Sequence, residues 1–246
     1  MKSKGQCRLC LIEKELCNSH IYPEFFYKPM YDDKHRFIVQ SNNSEIPDRF
    51  KQKGLHEYLL CSDCELRFSV YEKYAREVIY GRTQIYSAIN GPELHLKGLD
   101  YTKFKLFLLS LIWRMGIAAD QFFIEVELGP YKEILRSRLI KNDPGPDNEF
   151  GCSIAGVKIN GELGHWFLPP SKVKLEGRFC HRAVIGGLFF MFFITNQDFP
   201  QSARRHFIKA DGTMILRADE LTDIPFLREE CFDLVKAKCV RELQST

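Results

Sequence analysis

The sequence lacks a hydrophobic run long enough to cross a membrane as a helix. Its most apolar segments are residues 104–119, which carry Arg114, and residues 183–195, which fall short of the ~20 residues that a membrane helix needs. The start of the chain, MKSKGQC, has a positive tip without an apolar stretch behind it, so it does not resemble a secretory signal. We therefore expect a cytoplasmic protein with no membrane segment, in which both apolar segments are buried core.

A strong net charge is also missing, and so are the short motifs of nucleotide and hydrolase sites. The formal charge of +3 is too small to imply nucleic-acid binding by itself, because binding by charge alone normally needs a concentrated basic face. The sequence has no Gly-x-Gly-x-x-Gly spacing, nucleophile elbow, internal repeat or low-complexity tract. With 45% hydrophobic and 27% charged residues, the 246-residue chain is typical of a globular protein of one or two domains, and we favour two unequal parts.

Four of the nine cysteines form two Cys-x-x-Cys pairs, CRLC at Cys7 and Cys10 and CSDC at Cys61 and Cys64. An odd number of cysteines without an export signal disfavours a disulfide framework. A Cys-x-x-Cys turn places two thiolates on one side of a tight knuckle, so two such pairs can complete a tetrahedral zinc site. The second pair also opens a helix, whose N-terminal N–H groups favour thiolates. The pairs therefore predict a structural zinc site.

The alternative for any of these cysteines is a reduced thiol in the core, where free cysteine is common. The cysteines that we assign to this class are Cys152, Cys180, Cys231 and Cys239. Cys17 stays ambiguous because it follows Cys10 closely and could compete for the metal.

Apolar periodicity and turn residues predict an N-terminal part, residues 1–90, and a C-terminal part, residues 91–246. The N-terminal part should contain the cysteine knuckle, a short strand, a polar connector, and a helix from Cys61 that ends near Gly81, because apolar side chains recur there every four residues. A linker over residues 90–100 should join the two parts.

The C-terminal part is predicted to be an α+β domain. Helices are expected at residues 101–119, at residues 130–140 and from Pro225 onward. Strands are expected at residues 152–159, 164–169, 183–195 and 205–218, the last folded back on itself at a turn over Asp211 and Gly212.

The order CRLC, SHIYP and HEYLLCSDCE resembles the zinc-stabilised branch of the HNH endonucleases. In that family Cys-x-x-Cys, Asp-His-Ile-x-Pro and Asn-Leu-x-x-Leu-Cys-x-x-Cys-His follow one another on a treble-clef, or ββα-metal, fold. The similarity covers residues 5–80, about a third of the chain. It implies that a structural zinc holds a hairpin against a helix, while a separate catalytic divalent ion lies in the cleft between them.

Carried over position by position, the resemblance assigns three catalytic residues. His20 falls on the general base, His56 on the asparagine that orients this base, and Glu65 on the last histidine, which holds the catalytic ion, here Mg²⁺ or Mn²⁺. Ser19 departs from the pattern, because the family has an acidic or histidine metal ligand there.

The residues themselves leave other interpretations open. His20 can be a structural histidine that donates a hydrogen bond across the hairpin, and His56 can be an exposed residue beside Gly54. Glu65 can act only on the helix N-terminus, where a carboxylate is stabilised by roughly 0.3–1 kcal/mol.

Three basic clusters are candidates for phosphate contacts, namely residues 34–36 (KHR), 49–53 (RFKQK) and 203–207 (ARRHF). The first two lie in the polar connector, where a nuclease of this type would meet a nucleic-acid backbone. More often such clusters are a solvated loop or the exposed edge of a strand.

The sequence therefore predicts an HNH-like, metal-dependent endonuclease that hydrolyses DNA phosphodiesters, with DNA favoured over RNA. Its C-terminal domain would recognise the target or a protein partner, and a role in bacterial phage defence would suit such an enzyme. The first alternative is a non-catalytic zinc module that binds nucleic acid or a protein. The second is a scaffold in which zinc replaces a missing hydrophobic core.

Overall fold

The structure, a computed structural model, describes residues 3–40, 43, 45–195, 199 and 201–244, and the side chains of the last helix up to residue 236. Helices and strands both contribute large shares of this mixed α/β chain. Cys239, predicted to be a core cysteine, lies outside the described side chains.

The N-terminal part consists of two small sheets and one long helix. Its elements are β1 (Ser3–Gln6), β2 (Glu13–His20), β3 (Phe37–Val39), β4 (Arg49–Lys51), β5 (His56–Cys61) and α1 (Ser62–Ile79). Strands β1, β2 and β5 form an antiparallel sheet in the order β1-β2-β5, while β3 and β4 form a separate hairpin inside the predicted polar connector. Helix α1 ends just before Gly81, as predicted, and Gly81 adopts a left-handed φ of 65°.

The predicted linker at residues 90–100 is instead part of a hairpin between β6 (Tyr86–Asn90) and β7 (Glu93–Lys97). The turn-forming composition of residues 90–92 suggested a linker, but these residues form only the tight turn between the two strands. The following ELHLK segment alternates polar and apolar side chains with the period of a strand. Its Leu96 is buried and pairs with Met214 in the large sheet.

Two helices follow, α2 (Tyr101–Ile117) and α3 (Tyr131–Lys141). The Lys103 N–H donates to the Asp100 side chain over 2.9 Å, which caps the start of α2. Every residue of α2 from Phe104 to Met115 is buried, so this helix forms the centre of the molecule. The two predicted helices are therefore confirmed, with α2 slightly shorter than expected.

A mixed sheet of eight strands makes up the rest of the fold. Its remaining elements are β8 (Gly151–Ile159), β9 (Glu162–Leu163), β10 (Leu168–Leu175), β11 (Arg178–Ile185), β12 (Leu188–Phe193) and β13 (Met214–Glu220), with α4 (Gln201–Arg204) and α5 (Pro225–Gln244) beside them. The order is β10-β11-β12-β8-β13-β7-β6, with β9 paired to β8. Only the pairing of β8 with β13 is parallel among the described strands.

Three of the strand predictions need correction. Residues 164–167 of the predicted strand at 164–169 lie in no strand, and only Leu168 and Pro169 belong to β10. The segment 183–195 contains parts of two strands, β11 and β12, joined at Gly186 and Gly187, whose φ angles are 61° and 83°. The hairpin predicted at residues 205–218 does not form, because β13 pairs with β7 and β8 instead. The Asp211–Gly212 turn only precedes β13, closed by the Gly212 N–H bond to the Lys209 carbonyl.

The largest hydrophobic cluster runs from Cys7 in the first knuckle, through α1 and α2, to Met214 in the large sheet. Buried side chains from both sides of residue 90 thus pack in one cluster. The division into two domains at residue 90 stays a prediction. None of the helices in the described ranges combines the length and apolarity that crossing a bilayer requires.

Candidate zinc site and histidine cleft

The four paired cysteines converge on one point. The sulfur atoms of Cys7, Cys10, Cys61 and Cys64 all lie within 4.8 Å of one another. Cys7 and Cys10 occupy the turn between β1 and β2, which is closed by the Leu11 N–H bond to the Cys7 carbonyl over 2.8 Å. Cys61 ends β5, and Cys64 lies in the first turn of α1. The cluster could hold one zinc ion, as its spacing predicts.

The electrostatics of the cluster favour a bound cation. Burial raises the pKa of Cys7, but backbone N–H groups of Cys10, Cys61 and Leu9 more than offset it and lower this pKa to about 7. Burial, followed by the neighbouring sulfurs of Cys61 and Cys7, raises the pKa of Cys64, and burial also raises that of Cys10. Four ionised sulfurs at this distance repel one another, and Zn²⁺ removes that repulsion.

The other described cysteines are also free thiols. Cys152 and Cys180 are buried in the core, as predicted, and Cys231 is partly buried. Cys17 is not a member of the four-sulfur group, which answers the question of whether it competes for the metal.

His20 and His56 face each other at the open end of the small sheet. They are directly opposite residues of β2 and β5, so their side chains share one face. The ring centroids are 4.5 Å apart with an angle of 42° between the planes. The Nε2 atom of His20 lies 3.1 Å from Oε2 of Glu24, which follows Pro23 in a short 3₁₀ turn, and the Tyr31 hydroxyl donates to Oε1 of Glu24 over 2.7 Å.

Burial lowers the pKa of His56, and the charge of His20 lowers it further. A hydrogen bond from the His56 ring to the backbone of Gly54 acts in the opposite direction. The two histidines and Glu24 line an open cleft of about 510 Å³, together with Asn18, His35, Gln52 and Lys53. The cleft thus combines three imidazoles, a carboxylate and a lysine, which are groups suited to proton transfer and phosphate binding.

Glu65 is not among the residues that line this histidine cleft. Successive residues of a strand point to opposite faces, so Ser19 is directed away from the cleft that its neighbour His20 lines. Ser19 is only 1% exposed, and its hydroxyl accepts the Leu60 N–H over 3.1 Å. Burial raises the pKa of Glu65, although a hydrogen bond with Ser19 and the charge of Arg114 oppose this shift. The structure brings His20 and His56 together, but it places Glu65 with Ser19.

Arg114 of α2 is the positive group beside Glu65. Its side chain is 1% exposed, and its Nη1 donates to the His20 carbonyl over 2.8 Å and lies 2.7 Å from Oε1 of Glu72. Its Nε donates to the Ser110 carbonyl over 3.3 Å. The sequence-based reasoning missed this role of Arg114 and the role of Glu24. The sequence feature that could have indicated the role of Arg114 is its position as the charged residue in the most apolar part of a predicted helix.

A catalytic Mg²⁺ or Mn²⁺ does not fit the Ser19–Glu65 pair as it is arranged. Such an ion keeps several water molecules in an octahedral shell. Here Oε1 of Glu65 is fully buried without a hydrogen-bond partner among the described residues, the Ser19 hydroxyl is already bonded, and the Arg114 guanidinium repels a second cation. The prediction of a divalent ion at Glu65 therefore gains no support from this arrangement.

The basic clusters differ in their availability. Arg36 is paired with Asp32 over 2.8 Å and lies 4.3 Å above the Phe50 ring, and Arg205 is paired with Glu93 over 3.0 Å. Lys53 instead lines the histidine cleft. Lys53 is therefore the basic side chain from these clusters that is best placed to meet a phosphate held by the histidines.

No family model matches the chain, and comparisons with curated proteins and with solved structures gave no match either. Any function must accordingly be argued from the cysteine cluster and the histidine cleft.

Proposed function

We propose that the chain is a zinc-stabilised, HNH-like nuclease that hydrolyses phosphodiester bonds of DNA, with His20 as the general base. The observation that carries this proposal is the His20 ring, which is anchored by Glu24 and faces His56 in an open cleft. A bound phosphodiester would lie against Lys53, and the free ring nitrogen of His20 would take a proton from the attacking water.

Zinc would have a structural role in this proposal. Held by the four cysteines, it would join the β1–β2 turn to the start of α1, as in a treble-clef arrangement. Because β2 and β5 leave this junction carrying His20 and His56 at their far ends, the metal would set the spacing of the two rings. Mg²⁺ or Mn²⁺ enters the proposal only as a requirement to be tested, since its predicted site does not fit.

The test is cleavage of plasmid and single-stranded DNA by the purified zinc-loaded protein, with and without added Mg²⁺ or Mn²⁺. General acid–base groups contribute roughly 10²–10⁴-fold to rate, so His20→Ala should lower cleavage by at least about 10²-fold. The matched control is His95→Ala, because His95 also pairs with a glutamate, at 3.0 Å, but lies in the large sheet. DNA that stays intact with the wild-type protein would refute hydrolysis.

A second candidate is a non-catalytic module that binds nucleic acid. The charge of Arg114 near Glu65 favours it, because this guanidinium already offsets the carboxylate charge that a catalytic cation would need. Binding of uncut DNA that weakens with salt, and weakens further in Lys53→Ala, would support this candidate. A cytoplasmic location, a role in bacterial phage defence, and target or protein-partner recognition by residues 91–246 belong to the proposal and rest on the sequence alone.

A further inference from the structure

The imidazoles of His20 and His56 in the histidine cleft are each held by the protein through one nitrogen. His20 uses Nε2 for its contact with Glu24, which the Tyr31 hydroxyl fixes in turn. The His56 ring is bonded to the backbone of Gly54. Each ring therefore keeps its second nitrogen for a substrate, and both rings reach the same open space. Two oriented imidazoles on one cleft form a potential acid–base pair.

Their closeness makes the two rings unequal. At a centroid distance of 4.5 Å, two imidazolium ions would repel each other strongly, so the pair favours a single positive charge. Burial and the charge of His20 lower the pKa of His56, which favours the neutral form of that ring. The Glu24 carboxylate, 3.1 Å from Nε2 of His20, is placed to stabilise a positive charge on the other ring. One ring is thus ready to accept a proton and the other to donate one.

The nucleophile must come from somewhere other than a metal-bound water at Glu65, because a hydrated divalent ion does not fit there. RNA carries its own nucleophile, the 2′-hydroxyl next to each phosphorus. An intramolecular attack of this kind has an effective molarity far above that of a free water molecule, since no second reactant has to be positioned. The chemistry then requires only a base for the 2′-hydroxyl and an acid for the leaving oxygen.

We propose that the His20–His56 pair cleaves RNA by metal-independent transesterification, a substrate class for the same cleft on which the proposed nuclease function rests. In this reaction His20 is the acid, whereas in the hydrolysis of DNA it would be the base. His56 takes the proton of the 2′-hydroxyl, and O2′ forms a bond to phosphorus. The bond from phosphorus to O5′ breaks, and O5′ takes a proton from the His20 imidazolium. The products are a 2′,3′-cyclic phosphate and a free 5′-hydroxyl. The Lys53 ammonium stabilises the negative charge that builds up on the phosphoryl oxygens.

The experiment uses a single-stranded RNA oligonucleotide and its all-deoxy counterpart of the same sequence. The zinc-loaded full chain is assayed in buffer cleared of free divalent ions on a chelating resin, so that the cysteine-bound zinc is not stripped. His20→Ala and His56→Ala are compared with wild type and with His95→Ala. His20→Asn and His56→Gln serve as conservative variants, and zinc content and circular dichroism confirm that each protein is folded.

We expect the wild type to cut RNA to products with 2′,3′-cyclic phosphate ends and to leave the deoxy strand intact. Each change at His20 or His56 should lower the rate by about 10²–10⁴-fold, and His95→Ala should leave it unchanged. RNA left intact by the wild type overturns the inference. So does RNA cleavage that is unaffected by the His20 and His56 changes.

The outcomes separate this inference from the proposed hydrolysis of DNA. DNA cut only with added Mn²⁺ or Mg²⁺, beside intact RNA, would refute the RNA activity and leave the nuclease proposal standing. RNA cut without free metal, beside DNA that stays intact under every condition, would support the pair and refute DNA hydrolysis.

Discussion

Arg114 is a charged side chain in an apolar helix, and its partners come from three elements. It bonds the His20 carbonyl at the end of β2, Glu72 on α1, and Ser110 on its own helix. A buried charge is tolerated only when it is paired and fully hydrogen-bonded. Arg114 therefore ties the cleft-bearing strand to the centre of the core.

Replacing Arg114 with methionine should lower the free energy of unfolding by about 3 kcal/mol, because Glu72 and the His20 carbonyl would lose their partner. The control is Lys103→Met on the same helix, which removes an exposed ion pair with Asp100 and should cost no more than about 1 kcal/mol. Chemical denaturation of the three proteins measures both values. Equal losses in the two variants would contradict the structural role of Arg114.

His181 is the second buried residue whose charge state matters. It is 4% exposed, and neither ring nitrogen has a hydrogen-bond partner in the described part of the chain. Burial, helped by the charge of Lys172, lowers its pKa to about 4. Below pH 6.5 the unfolded chain binds a proton that the folded chain does not, so this residue removes stability as the pH falls from 6.5 to 4.

Between pH 7 and pH 5, His181 should therefore cost the wild type about 2 kcal/mol of unfolding free energy. His181→Leu removes this titrating group, so the variant should lose about that much less than the wild type over the same interval. Denaturant titrations of both proteins at the two pH values give the difference. Parallel losses would show that His181 binds its proton as readily in the folded as in the unfolded chain, so that its pKa is not lowered.

At the scale of elements, two hairpin turns of the large sheet invite direct comparison. Gly187, between β11 and β12, and Gly177, between β10 and β11, both have φ near 80°. A Cβ atom at Gly177 would meet open space, whereas one at Gly187 would overlap the carbonyl oxygen of Gly164. The turn at Gly177 needs glycine for its backbone angle alone. The turn at Gly187 also needs it because the chain passes close to the Gly164 carbonyl.

Gly177→Ala should cost about 1–2 kcal/mol through its left-handed angle. Gly187→Ala should cost at least about 2 kcal/mol more, because the 164–167 segment must also move. Thermal or chemical unfolding of the two variants tests the order. If Gly187→Ala lost less unfolding free energy than Gly177→Ala, the 164–167 segment would be able to move away from the added Cβ atom without destabilising the fold.

The helices and the cysteine cluster could be predicted because their signals are local. α1 and α2 show apolar periodicity, and the Cys-x-x-Cys spacing specifies the chelating pairs. The strand partners could not be predicted in the same way, since β13 pairs with segments that precede it by more than fifty residues. In the site, Arg114 and His20 are 94 residues apart in the chain, so no sequence window contains both.

At the scale of the whole molecule, the zinc site and the core are continuous. Phe68 of α1 packs edge-on against Trp113 of α2, with ring centroids 6.1 Å apart, and α2 connects this contact to the large sheet. Loss of order around the cysteines should therefore be transmitted to the remaining fold.

We expect the purified protein to contain one zinc ion per chain, and Cys64→Ser to lower the metal content and the melting temperature. Because the core is shared, wild-type unfolding should follow one transition when it is monitored by both far-ultraviolet circular dichroism and fluorescence. Elemental analysis measures the zinc content, and thermal scans measure the melting temperature and the number of transitions. Metal-free protein with an unchanged melting temperature would contradict the zinc assignment, and two separate transitions would instead support independent folding of residues 1–90 and 91–246.

The position of β13 has a consequence for synthesis on the ribosome. This strand lies between β8 and β7 and is the only described bridge between the group β10, β11, β12 and β8 and the hairpin of β6 and β7. A nascent chain that ends before residue 214 thus carries two sheet fragments with exposed edges, and such edges invite aggregation. The protein passes through this vulnerable stage until β13 has been translated, which makes it a candidate client for ribosome-associated chaperones.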